Sequence, residues 1–129
     1  MLSVNKCFMA SYISIKGWLE CEFEQVAAIK AQIINFSDKA SKYTLTGEQA
    51  ELYLSAWHFP EKPVNWTSYV FLGVDVQSYA LQYIEDQILA GLIDDEIEGY
   101  FEVVSEEGES QQWRISDKGI RKSVSNKMY

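Results

Sequence analysis

Few residues in this chain have the types and spacing that catalysis requires. His58 is the single histidine, so a site built from a pair of histidines is excluded. A dyad of Cys21 and His58 is formally possible, because an imidazole can activate a thiol, but nothing in their spacing supports it. The sequence has no Walker loop, no GxGxxG and no GxSxG. We therefore predict no enzymatic activity, no catalytic residues and no bound cofactor.

Carboxylates are the abundant ionisable group, and seven of them fall into two clusters. The first acidic cluster is Asp94, Asp95, Glu96 and Glu98, and the second acidic cluster is Glu106, Glu107 and Glu109. Among nineteen acidic residues, a pair at a spacing suited to glycoside hydrolysis carries no information. Adjacent residues on irregular backbone rarely give Mg²⁺ its octahedral ligand set. We therefore predict no metal site.

The charge balance indicates which kind of partner the chain would bind. Nineteen acidic residues against eleven basic ones give a formal charge of -8. Nucleic acids and anionic membranes attract Lys- and Arg-rich surfaces, so we predict neither as a partner. A basic protein partner fits, because opposite potentials speed encounter and reject wrong partners. The alternative is that the charge serves solubility alone and that each cluster is a solvated turn.

The cysteines and the N-terminal residues predict a cytoplasmic protein. Cys7 and Cys21 form no CxxC pair. One disulfide between them is possible, and two free thiols in a reducing compartment are the favoured alternative. The first ten residues lack the apolar core of a secretory signal, and no stretch approaches the ~20 apolar residues of a membrane span. Either Met1 or Met9 could be the native start.

Aromatic residues surround two prolines in the middle of the chain. Trp57, His58 and Trp66 flank Pro60 and Pro63. Large aromatic side chains often concentrate the energy of an interface, so these three are candidate anchors for a partner. A groove for a small ligand at residues 57–66 is the alternative function. A third possibility is that the aromatics only pin a Pro-containing loop onto the core.

The strands that would position these residues show in the alternation of apolar side chains. Residues 65–76 are apolar on both faces in their middle, so we expect this strand to be covered on both faces or to lie within the sheet. Residues 11–19 predict a first strand, with Gly17 a bulge or a point of close approach. Residues 97–105 and 111–116 predict an antiparallel hairpin, and residues 120–124 a further short strand.

Three segments have the periodicity of helices. Residues 20–36 place Val26, Ile29, Ile33 and Phe36 on one face, with Glu20, Glu22 and Glu24 at the positive end of the helix dipole. Thr46 and Gln49 form a capping-box pattern that opens a helix over 47–57, which would bury Leu52, Tyr53 and Ala56. Residues 77–92 carry a stripe of Leu81, Ile84, Ile88 and Leu92, whereas residues 37–43 read as a loop.

Together these elements predict an α+β fold with helices packed on a mostly antiparallel sheet, in the order β-α-α-β-α-β-β. The length of 129 residues favours one domain. We assign that domain to residues 11–124, with a loose segment at 1–10 and a frayed tail at 125–129.

Taken as a whole, the chain resembles the small cytoplasmic immunity proteins of bacterial polymorphic-toxin and contact-dependent growth inhibition systems. The resemblance covers residues 11–120 and is carried by the acidic single domain and by the segments IKGWLECEFEQVAAIK, NWTSYVFLGVDV and IEGYFEVVSEEGESQQWRI. It implies a protein that binds one cognate toxin domain, often a basic nuclease, and blocks its active site or its substrate path. The resulting hypothesis is inhibition by binding through the two acidic clusters, with Trp57, His58 and Trp66 as aromatic anchors.

Overall fold

The computed structural model describes residues 11–125, which form one six-stranded antiparallel sheet with three helices on one face. The strands are β1 (Tyr12–Glu22), β2 (Trp57–His58), β3 (Thr67–Gln77), β4 (Glu98–Ser105), β5 (Ser110–Ser116) and β6 (Gly119–Ser125). The helices are α1 (Val26–Phe36), α2 (Gly47–Leu54) and α3 (Leu81–Ala90), with 3₁₀ turns at Phe23–Gln25, Ser37–Tyr43 and Ser78–Ala80. The predicted α+β class is confirmed.

The strand order is β2-β3-β1-β4-β5-β6, which places β1 inside the sheet. β1 pairs along its whole length with β3, from Tyr12 opposite Gln77 to Glu22 opposite Thr67. Its other edge pairs with β4, from Ile13 opposite Ser105 to Glu20 opposite Glu98. The predicted hairpin of β4 and β5 and the short final strand β6 are confirmed.

The core lies between the sheet and the helices. One face of the central strands contributes buried apolar side chains at every second residue, among them Ile15, Leu19, Val70, Leu72 and Phe101. The helices contribute the apolar stripe that their period predicts, including Ile29, Ile33, Ile84 and Ile88. Trp113 of β5 is fully buried in the same core.

The expectation that β3 is covered on both faces is wrong, and its position within the sheet, between β2 and β1, is confirmed. The side chains of β3 alternate between buried and exposed. Tyr69 and Phe71 point to the face that carries no helix, where 42% and 49% of each is exposed. The apolar run reflects aromatic residues on an uncovered face.

Three boundaries also differ from the sequence-based expectation. β1 continues to Glu22 because β3 still pairs with it there, at Thr67, so Glu20 and Glu22 lie on a strand and not at the start of a helix. Residues 37–43 form a 3₁₀ helix where a loop was predicted. α2 has the predicted capping box but ends at Leu54, and Leu52 is 65% exposed, so its predicted burial is wrong.

The predicted loose segment 1–10 lies outside the described residues. The predicted frayed tail lies outside them too, except for Ser125, which ends β6.

Gly17 lets the central strands approach closely, as predicted. A Cβ added there would lie 2.0 Å from the Tyr100 carbonyl oxygen and 2.6 Å from the Phe101 Cα. We expect Gly17→Ala to lower the free energy of unfolding by about 2 kcal/mol or more, because the backbone of β4 must move. Urea denaturation measures the change.

Gly73→Ala is the matched control on the adjacent strand, since a Cβ at Gly73 meets nothing within 4 Å. It should leave stability unchanged or raise it by up to about 1 kcal/mol. Equal effects of the two substitutions would contradict the role of Gly17 as a contact point.

Two tyrosines of the helix layer differ in hydrogen bonding. The Tyr43 hydroxyl donates to Asp86 Oδ2 at 2.7 Å, whereas the buried Tyr83 hydroxyl has no partner within residues 11–125. We expect Tyr83→Phe to leave stability unchanged or raise it by about 1 kcal/mol, because it removes a desolvated polar group. Tyr43→Phe should lower stability by about 1 kcal/mol or more. Thermal unfolding of both variants tests this order, and the reverse order would refute it.

Candidate partner-binding site

Three strands end together and bring four carboxylates to one end of the sheet. β1 ends at Glu22, opposite the first residue of β3, and Glu20 lies opposite Glu98 at the start of β4. With Glu96 just before β4, these residues line a depression of about 160 Å³. We call Glu20, Glu22, Glu96 and Glu98 the acidic end. It joins two members of the first acidic cluster to two carboxylates from another part of the chain.

The side chain of Gln25 holds the acidic end together. Its Oε1 accepts a hydrogen bond from the Glu22 backbone N–H at 2.9 Å. Its Nε2 donates to Asp94 Oδ2 at 2.6 Å, and Asp94 Oδ1 accepts from the Glu96 backbone N–H at 2.8 Å. Asp94 is therefore used in positioning the segment that precedes β4, and the carboxylates of Glu96 and Glu98 remain exposed.

The acidic end forms no ion pair within residues 11–125. Glu20 and Glu98 are directly opposed across β1 and β4, an arrangement of like charges that destabilises a sheet. The ion pair found within residues 11–125 joins Lys122 to Glu85 at 2.8 Å, on other elements. No basic side chain of the described part of the chain therefore neutralises the acidic end at ion-pair distance.

A pair of arginines lies beside the acidic end on the outer strands. Arg114 of β5 is directly opposite Arg121 of β6, and the Arg114 guanidinium lies 5.6 Å from the centroid of the Tyr100 ring. Both arginines line a depression of about 290 Å³ together with Glu20 and Glu98. The sign of the surface charge therefore changes from negative to positive across the sheet.

The three aromatic candidates lie in three different places. Trp57 is a core residue, 5% exposed, and its Nε1 donates to Gln87 Oε1 at 3.1 Å. Its ring cannot anchor a partner without leaving the core, because it is almost completely buried there. His58 is exposed on the opposite face of the sheet, paired with Phe71. Trp66 is 88% exposed and lies next to the acidic end.

Trp66 lines a groove between the Pro-containing loop and the 3₁₀ turn after β1. The groove measures about 420 Å³ and is lined by Glu22, Phe23, Glu24, Pro63, Asn65 and Trp66. Trp57 packs into the core, as a pinned loop requires, and Trp66 borders an open groove.

The remaining candidate residues lie apart from this surface or at its margin. Asp95 is exposed in the turn before β4. The second acidic cluster occupies the β4–β5 turn, at the far end of β4 from Glu98. Eight residues at ~3.3 Å each separate the two ends by about 25 Å, so the predicted placement of the two clusters at opposite ends of this strand is confirmed.

The face of the sheet without helices carries a row of aromatic side chains. Phe71, Trp18 and Tyr100 are directly opposed across β3, β1 and β4, and the Trp18 and Tyr100 ring centroids are 5.6 Å apart. His58 continues this row on β2. We call these four residues the aromatic row. A shallow depression of about 490 Å³ lies over it.

The structure does not bring Cys21 and His58 together. Cys21 is buried on the helix face of β1, opposite Ser68, whereas His58 is exposed on the other face, opposite Phe71. Within residues 11–125, no group of three or more His, Cys, Asp and Glu side chains is arranged to hold a metal ion. The described helices include none that is long and apolar enough to cross a membrane.

Sequence reasoning missed Glu20 and Glu22 as members of the candidate site. Three glutamates suit the positive end of a helix dipole, and this pattern predicts Glu20 and Glu22 at the beginning of a helix. The segment from Leu19 to Glu24 in fact alternates apolar and acidic residues, Leu-Glu-Cys-Glu-Phe-Glu. That period of two is the signal of a half-buried strand, and it correctly places the glutamates on the exposed side of β1.

Comparison of the chain with protein-family models, with curated proteins and with solved structures found no match.

Cys21 should make stability depend on pH in the alkaline range. Burial, together with the negative charges of Glu20 and Glu22, raises the pKa of the Cys21 thiol from 9.0 to about 11. The folded state therefore retains its proton where the unfolded chain has lost it. We expect the stability contributed by this group to be full below pH 9 and to be lost progressively as the pH rises from 9 to 11, by about 2 kcal/mol.

A Cys7→Ser variant isolates Cys21 as the single thiol. Urea unfolding between pH 8 and 11 then gives the slope of the free energy of unfolding against pH. The control variant carries Cys21→Ala as well as Cys7→Ser, so the tyrosines contribute equally to the pH dependence of both variants. Equal slopes with and without Cys21 would refute the assignment.

Proposed function

We propose that the chain is a non-enzymatic binding protein that neutralises a cognate toxin domain by docking the acidic end onto a basic surface of that domain. One observation carries the proposal, namely the direct opposition of Glu20 and Glu98 with no cation at ion-pair distance within the described residues. The isolated protein bears the cost of this like-charge pair. A cationic partner removes that cost on binding.

The net charge of -8 supports the same partner. Long-range attraction brings a basic domain to an acidic surface at a high rate. Such a domain, if it is a nuclease, has a site that attracts phosphates, and carboxylates presented by an inhibitor can occupy it. The resemblance to immunity proteins implies this mode of action, and the acidic end supplies the chemistry for it.

The adjacent arginine pair gives the docked partner an orientation. Arg114 and Arg121 are directly opposed on the side of the acidic end that faces β6. A partner surface that is basic over Glu20 and Glu98 and acidic over the arginines fits this strip in one direction, because the reversed orientation brings like charges together. Specificity for one cognate toxin follows from such a pattern.

The function is tested with the product of the gene immediately upstream. Its C-terminal domain is expressed alone and together with this chain. We expect growth arrest in the first case and growth in the second, with a complex recovered in which this chain binds the domain directly. A harmless upstream product that does not bind the purified chain would overturn the proposal.

Charge reversal tests the surface. Glu20→Lys with Glu98→Lys should slow association with the toxin domain by about tenfold or more at low salt and weaken its salt dependence, because steering acts mainly on the association rate. Stopped-flow fluorescence measures the rate. Both substituted residues are exposed, so the packing of the core should be retained.

Glu106→Lys with Glu107→Lys is the matched control. It makes the same change in net charge at the opposite end of β4, outside a footprint of about 800 Å² per partner that is centred on the acidic end. We expect this control to change the association rate less than threefold. Equal slowing by the two double variants would show that net charge acts without a defined docking surface.

A further inference from the structure

The groove at Trp66 borders the acidic end and has aromatic walls, and its lining, among the residues that the structure describes, includes carboxylates and no basic side chain. Its polar members are the carboxylates of Glu22 and Glu24 and the amide of Asn65, and its apolar walls are Phe23, Pro63 and the Trp66 ring. Glu22 belongs both to this groove and to the acidic end. A partner that docks on the acidic end therefore reaches the groove without a second interface.

Hydrogen bonds fix the backbone on both sides of the exposed Trp66 side chain. The Phe23 backbone N–H donates to the Trp66 carbonyl oxygen at 2.8 Å, which joins the loop to the 3₁₀ turn. Asn65 Oδ1 accepts from the Thr67 backbone N–H at 2.8 Å, which fixes the last residues before β3. Because the backbone that carries Trp66 is fixed, binding requires less ordering of the loop.

Another aromatic residue of the same loop already has a cation over its ring. The Lys30 ammonium lies 5.6 Å from the centroid of the Phe59 ring, at the other end of the loop. Within residues 11–125 no cation lies over the Trp66 ring, although the indole is the best cation–π acceptor among side chains. The Trp66 ring with Glu22 and Glu24 beside it thus lacks a cation that its chemistry suits.

We propose that the Trp66 groove binds an arginine side chain of the protein partner. Arginine fits better than lysine, because the planar guanidinium stacks on an indole face while its N–H groups donate to carboxylates as a fork. This inference rests on the proposed function for the identity of the partner. It adds to that function a defined pocket, a defined side chain and a residue, Trp66, that anchors the complex.

The groove is tested first on the isolated full-length chain, with N-acetyl-arginine amide as the probe. The Trp66 indole N–H resonance, assigned by its loss in Trp66→Phe, is followed by NMR during titration. We expect saturable binding in the millimolar range, about tenfold tighter for the arginine derivative than for N-acetyl-citrulline amide, which has the same shape without the charge. Equal titration by both compounds, or none, would overturn the inference.

Substitutions at the groove test where the probe binds. Trp66→Ala should abolish the saturable response of the Asn65 and Thr67 backbone amides to the probe, and Glu22→Gln with Glu24→Gln should weaken binding about fivefold to tenfold. Glu106→Gln with Glu107→Gln removes the same charge at the far end of the sheet and should change affinity less than twofold. An equal loss in the control pair would show non-specific attraction and overturn the pocket.

The complex with the toxin domain provides a second test of the groove. We expect Trp66→Ala to raise the dissociation rate at least tenfold while the association rate changes less than threefold, because a buried aromatic anchor acts on residence time. Unchanged dissociation in Trp66→Ala, with the effect of the Glu20 and Glu98 reversal intact, would overturn the arginine pocket and leave the proposed function standing.

The converse result is also distinguishable. Probe binding at Trp66, combined with an upstream product that neither kills nor binds, would overturn the proposed function and the assignment of the arginine to a protein partner. The groove would then be a site for a free guanidino compound.

Discussion

The pairing of β1 with both β3 and β4 is the constraint on which the rest of the structure depends. β1 comes first among the described elements, yet it lies inside the sheet and pairs with strands that begin 45 and 76 residues after its last residue, Glu22. Gly17 permits this, because any side chain there would overlap the backbone of β4. Once β1 is in place, the helices cover one face and the ends of three strands are brought to one edge.

That edge concentrates negative charge at a local cost. Like charges opposed across two strands repel each other, and the amide of Gln25 with the carboxylate of Asp94 holds the surrounding backbone in spite of it. A surface with opposed like charges is less stable than a neutral one, and this cost is the one that the proposed cationic partner removes on binding. The arginine pair on β5 and β6 sets the limit of the negative region.

The two faces of the sheet serve different purposes. The helix face contains the core and the buried thiol of Cys21, whose raised pKa keeps it protonated and unreactive at neutral pH. The other face displays the aromatic row and His58. Cys21 and His58 therefore lie on opposite sides of the sheet and form no dyad.

The sequence by itself determined the features that arise from local periodicity. The hairpin of β4 and β5, the capping box of Thr46 and Gln49 and the apolar stripe of α3 all follow from patterns within single short segments, and the α+β class follows from the order of those segments. Only the tertiary structure decided that Glu20 faces Glu98 and that Trp66 lies beside Glu22, because strand order and register depend on contacts between distant parts of the chain. The burial of Trp57 and the exposure of Phe71 were decided in the same way, by which face of the sheet the helices cover.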